Sequence, residues 1–146
     1  MFKNILIPTD GSELSQRAVR MAVELAKIHQ ARITGIHVIP DYHLLIAYEG
    51  AFDPVTEERI EEEAKARAEN YLAFVRKTAE DAGVPCDTAC ETSDHPYDAI
   101  LKNAEARKCD LIVMTSHGRK GLAAVLLGSE TRKVLTHTRI PVLVVR

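Results

Sequence analysis

Five short runs rich in apolar residues, separated by longer stretches with helical periodicity, constrain this chain more than any other feature. The runs fall at residues 2–8, 32–39, 84–91, 110–115 and 141–146. Each has the length of a strand and is bounded by Pro, Gly or a polar turn. Between them, Leu14, Ala18, Met21, Ala22, Leu25 and Ala26 place one apolar face on a helix from Glu13 to Gln30, with Ser12 as its cap. Ile60, Ala64, Ala68, Tyr71, Leu72, Val75 and Ala79 do the same over Pro54 to Ala82. Tyr97, Ile100, Leu101 and Ala104 mark a third helix, capped by Ser93 or Asp94 and ending near Lys108. A short fourth helix is expected from about Ser129 to His137. The order βαβαβαβαβ, with strands apolar almost throughout, predicts a single α/β domain: an open parallel sheet covered by helices on both faces. The third run is the poorest in apolar residues and belongs at a sheet edge.

Charge and composition narrow the partners. The 146 residues carry 19 Lys and Arg against 21 Asp and Glu, with three Phe, four Tyr and no Trp, so no basic aromatic surface for nucleic acid is expected. The apolar run at the start is too short for a signal peptide and no segment approaches a membrane span, so a cytoplasmic protein is expected. Cys86, Cys90 and Cys109 lack metal-ligand spacing. Residues four apart on a strand lie about 13 Å apart, too far for a disulfide. All three are expected to be free, mostly buried thiols, with nothing nearby to activate them.

The stretch from Asp110 to Thr131 carries the chemistry. A strand-length run breaks at Thr115 into a polar, glycine-bearing turn, and Gly128-Ser129 has the form of a helix start with Ser129 at the N-cap position. Glycines that bare backbone N–H groups beside a helix N-terminus make an anion site, and phosphate is the first ligand class to test. The other reading is purely conformational: Gly118 and Gly121 supply a turn with positive φ, and Ser129 only caps a helix. The chain contains neither a Walker loop nor G-x-G-x-x-G. Open α/β sheets bind ligands at the carboxyl ends of strands, which nominates Pro8-Thr9-Asp10 and Thr115 to Gly121. Asp10 also has a bland role, capping the helix that follows. His117 is expected in a solvent-exposed turn, and His37 as a satisfied core or edge histidine. Arg119 and Lys120 are either phosphate partners or ordinary surface charges. Residues 41–53 read as a loop packing its apolar side chains on the core edge.

Ile-Leu-Ile-Pro-Thr-Asp-Gly-Ser near the start, Gly-Ile-His-Val, Asp-Leu-Ile-Val-Met, Ser-His-Gly-Arg-Lys-Gly-Leu, Leu-Leu-Gly-Ser and the closing Ile-Pro-Val-Leu-Val-Val resemble the universal stress protein family along the whole chain. The resemblance implies a Rossmann-like fold of the adenine nucleotide alpha hydrolase type, with a five-stranded parallel sheet of order 3-2-1-4-5. Strands one and four would then be neighbours, with Asp10 and Gly118 facing one cleft. The family's nucleotide motif is Gly, two residues, Gly, nine residues, Gly, then Ser or Thr. Gly118, Gly128 and Ser129 match it, while Thr115 stands at the first glycine.

Carried over residue by residue, the resemblance implies that Pro8, Thr9 and Val38 line adenine and ribose, mostly by backbone, with Met114 and Thr115 against the ribose. Gly118, Arg119, Gly128, Ser129 and Glu130 would hold the phosphates of ATP, and Asp10 would reach a Mg²⁺ or Mn²⁺ ion. It further implies a stress-response regulatory homodimer paired through Val142 to Val145. Two alternatives stand beside that reading: a nucleotide-free dimeric adaptor, if Thr115 blocks the site, and a slow ATPase or autokinase. No catalytic motif is present, so any hydrolysis would rest on metal and positioning alone.

Overall fold

A computed structural model describes residues 1–41, 54–118 and 127–146. The elements follow the expected order: β1 (Asn4–Pro8), α1 (Glu13–His29), β2 (Arg32–Ile39), α2 (Pro54–Asp81), β3 (Cys86–Thr92), α3 (Pro96–Ala106), β4 (Leu111–Thr115), α4 (Ser129–His137) and β5 (Val142–Val145). The strands form one parallel sheet in the order β3-β2-β1-β4-β5, with β3 at an edge.

Alternation along the strands explains why the central runs are apolar throughout. Ile5, Ile7, Ile33, Leu111 and Val113 enter a core with α1 and α2. Leu6, Ile36, Ile112 and Met114 enter a second core with α3 and α4 on the opposite face. Both faces of β1 and β4 are therefore dry, and each Ile or Leu buried this way contributes about 1.5–3 kcal/mol. Gly35 is small for a packing reason, since a Cβ there would lie 2.9 Å from a Val75 methyl on α2.

The helix termini keep two expectations and correct one. Ser12 caps α1, its side chain accepting from Ser15 N–H, and Gly83 follows α2 in the left-handed region at φ +70°. Neither Ser93 nor Asp94 caps α3. Its N-cap is His95, which makes no side-chain capping bond, and Ser93 Oγ instead accepts from His95 N–H at 3.1 Å. Pro96 occupies the first turn of α3, where a missing N–H costs nothing. Residues 42–53 lie outside the described residues, and the loop expected there with them.

Candidate functional site

Chain connections leave β1 toward β2 on one side and β4 toward β5 on the other, so the strand order reverses between β1 and β4. A cavity of about 500 Å³ opens at their carboxyl ends, within the range of small-molecule sites. Of the residues expected at a site, Pro8, Thr9, Asp10, Val38, Met114, Thr115, Gly118, Gly128, Ser129 and Glu130 line it, and Arg119 lies outside the described residues. Ser15, Ile36, His37, Pro96, Ile100 and Thr131 line it too, and sequence reasoning missed them. Pro96 and Ile100 come from α3, which no local motif joins to the glycine turn.

The turn after β4 is tied to the start of α4 by two bonds and braced by a third within itself. Gly128 N–H donates to Ser116 O at 2.6 Å, Thr131 Oγ1 donates to Thr115 O at 2.8 Å, and Thr115 Oγ1 donates to His117 O at 2.8 Å. Gly128, not Ser129, is the N-cap of α4, and Ser129 is its first helical residue. A serine at the cap would be tight, because a Cβ at 128 would lie 3.2 Å from His117 Cα and 3.3 Å from Ser116 O and the backbone there would have to give by a few tenths of an ångström. Gly128 supplies no side-chain cap, and among the described residues no side chain caps this helix, so its first N–H groups face the cavity edge without an intrahelical acceptor. Gly118 does not have a positive φ, contrary to the turn reading. What it avoids is Asp10, whose Oδ2 would lie 3.0 Å from a Cβ at 118.

The turn after β1 supplies that carboxylate. Ser12 caps α1, while Asp10 Oδ1 accepts from Ser12 N–H at 2.9 Å, bracing the turn. Asp10 thus belongs to the turn that precedes the cap and does not cap α1 itself. No three His, Cys, Asp or Glu side chains converge on a metal position among the described residues. A hard cation here would take Asp10 and complete its shell with ligand oxygens and water, which suits magnesium. Thr9 follows at the end of β1. Its N–H donates to Ile36 O, its carbonyl accepts from His37 Nδ1, and its hydroxyl pairs with Ser15 Oγ and Gly11 N–H. Those backbone groups already have partners, and Thr9 forms part of the cavity wall.

Val38 supplies what Thr9 does not. Arg32 N–H bonds to Lys3 O and Ile36 O accepts from Thr9 N–H, so even-numbered residues of β2 point their backbone groups toward β1. Ile33 N–H and Ile39 O bond the β3 side. Val38 therefore points its N–H and C=O toward β1 just where that strand has ended, and neither is hydrogen-bonded among the described residues. The cavity thus has an apolar slot with one donor and one acceptor at its end, and an uncapped helix N-terminus beside Asp10.

The universal stress protein family model matches residues 1–146. This chain belongs to the universal stress protein family. It is 36% identical to the universal stress protein MJ0531 of Methanocaldococcus jannaschii, over 100% of this chain and 83% of the relative. The solved structure of MJ0577 from the same organism superposes with a TM-score of 0.84 at 31% identity, covering 99% of this chain and 96% of that one. A universal stress protein of Archaeoglobus fulgidus solved with dAMP has the same fold, with a TM-score of 0.72 at 18% identity over 99% and 98% of the two chains.

In this universal stress protein the Glu130 side chain serves another helix. Its Oε2 accepts from Tyr97 N–H at 2.8 Å and its Oε1 from Lys133 Nζ at 2.9 Å. A carboxylate on α4 thus serves the free N-terminus of α3, the cap that neither Ser93 nor Asp94 provides. His117 is half-buried, its Nδ1 paired with Ser116 Oγ at 3.1 Å, and it does not line the cavity. His37 is satisfied, as expected, yet it stands in the cavity wall. The thiols are free, but only Cys109 is buried: Cys86 is half-buried and Cys90 exposed, because edge strand β3 has one poorly covered face. Burial, reinforced by Asp87, pushes the Cys86 thiol up to about 11, so it is not an activated nucleophile. No described helix is long and apolar enough to cross a membrane.

Proposed function

We propose that this universal stress protein is a regulatory module that binds ATP with Mg²⁺ or Mn²⁺ and signals as a homodimer. The observation that carries the reading is the pairing, in one cavity, of the open Val38 backbone edge with the uncapped N-terminus of α4. An adjacent N–H and C=O complement the acceptor ring nitrogen and amino group along one edge of adenine. Ile36, Ile100 and Met114 offer the ring apolar contact, and Gly118, Ser129 and Glu130 offer backbone N–H groups to phosphate, with Gly128 N–H held by Ser116 O. Asp10 holds the cation. The dAMP complex of the Archaeoglobus fulgidus relative is consistent with an adenine nucleotide on this fold.

Thr115, at the position of the motif's first glycine, keeps its hydroxyl turned to His117 O, which favours accommodation of a ligand over exclusion. Homodimer formation through β5 is supported by Val142, Leu143 and Val144, half-exposed apolar residues on an edge strand. In this reading the protein acts by occupancy rather than turnover, since the sequence carries no catalytic motif.

The test is to denature freshly purified protein, identify released nucleotide by chromatography, and titrate emptied protein with ATP and Mg²⁺ by calorimetry. Bound or micromolar ATP without hydrolysis is expected, with Asp10→Ala weakening the magnesium dependence. No nucleotide and no heat would make the protein a nucleotide-free adaptor. Turnover abolished by Asp10→Ala would make it a slow ATPase.

A further inference from the structure

The β1–β2 ladder stops abruptly, and its geometry names the residue that stops it. Each even-numbered residue of β2 bonds β1 in turn, and the last such bond runs from Thr9 N–H to Ile36 O at 2.9 Å. Continuing the ladder by one step would pair Val38 N–H with Thr9 O, and then Gly11 N–H with Val38 O. Both partners have been taken by side chains. His37 Nδ1 lies 2.7 Å from Thr9 O, and Thr9 Oγ1 accepts from Gly11 N–H at 3.2 Å. A carbonyl only accepts, so Nδ1 carries the hydrogen in that bond. The imidazole is held from behind by Tyr71 of α2, edge-on with ring centroids 5.2 Å apart. The same tyrosine ring fills the space where a side chain at Gly11 would stand.

We infer that His37 is a positioning residue: by capturing Thr9 O it keeps the sheet unzipped at Val38, so that the Val38 N–H and C=O remain open for the base edge of the nucleotide. This rests on the ATP reading for the identity of the ligand, but the unzipping itself is a property of the empty protein. His37 touches the ligand through Val38, and a merely structural histidine would not control that amide.

The experiment is amide hydrogen exchange by ¹⁵N NMR on nucleotide-free wild type, His37→Phe and His37→Asn, followed by ATP·Mg²⁺ titration of each. In asparagine the amide nitrogen occupies the place of Nδ1, so His37→Asn preserves the donor, whereas His37→Phe keeps only the ring. In the wild type the Val38 amide should exchange at least tenfold faster than that of Ile36 and become protected when ATP binds. In His37→Phe it should be protected without ATP, with affinity at least tenfold weaker, and His37→Asn should restore both wild-type behaviours. A Val38 amide already protected in the empty wild type overturns the inference. So does a His37→Phe protein that leaves the exchange and affinity unchanged. If wild type binds no nucleotide, the ATP reading fails, while the exchange rates of the empty proteins still decide the role of His37. Should His37→Phe not fold, His37→Leu, which also lacks the donor, gives the same reading at the same bond.

Discussion

Gly11 holds φ at +72°, and a Cβ there would stand 2.2 Å from two carbons of the Tyr71 ring. Gly11→Ala therefore meets both a left-handed backbone and an aromatic ring. It should lower unfolding stability by at least about 1 kcal/mol in a urea titration. Thr115 poses a subtler question, because its side chain occupies the position of a motif glycine while its hydroxyl is tied to His117 O. Thr115→Gly should lower stability by about 1 kcal/mol through backbone entropy and the lost bond, and change ATP affinity by less than about tenfold by calorimetry. A larger gain would show that the threonine crowds the ligand. Cys86 gives a pH test: with its thiol near 11, alkylation at pH 8 involves about one thousandth of the molecules as thiolate. Its labelling rate should keep climbing well beyond pH 9 in a mass-spectrometric time course, instead of levelling off. The expectation that all three thiols are mostly buried failed at Cys90, because burial on an edge strand depends on what covers it.

At the scale of elements, helix periodicity and turn chemistry were readable wherever the information is local. The faces of α1 and α2, the Ser12 cap and the Gly83 stop all follow from residues within one or two turns. The start of α3 did not follow, because its cap comes from Glu130, on a helix 33 residues later in the sequence. Serine and aspartate just before a helix are good candidates only when no tertiary carboxylate takes the N–H first. Glu130→Ala should cost about 1 kcal/mol, a melting-temperature fall of about 2–4 °C by calorimetry, with faster exchange of the Tyr97 amide. Ser129 fails as a cap for a related reason. The approach of residue 128 to Ser116 and His117 favours glycine there, and that crowding comes from residues eleven and twelve positions earlier in the chain.

For the whole molecule, β5 is the second edge of the sheet, opposite β3. The two edges differ in chemistry: β3 is polar and largely exposed, while β5 offers valine and leucine. Self-association through β5 predicts a dimer at micromolar concentration in solution scattering. Val144→Lys should leave the fold intact and yield a monomer, since Val144 belongs to neither main core cluster. Scattering that matches a monomer for the unmodified protein would rule the interface out. The sequence by itself determined the parallel α/β class, the bounds of the strands and helices to within a few residues, and the two turns that line the cavity. Periodicity and turn residues act over a few positions, so these are written locally. Which groups in those turns stay open was decided only by the tertiary structure. Thr9 is spent on Ile36, His37, Ser15 and Gly11, Val38 is released, and Glu130 is drawn to α3. A hydrogen-bonding group has few places to fill, and competition for them is settled by neighbours in space rather than in sequence.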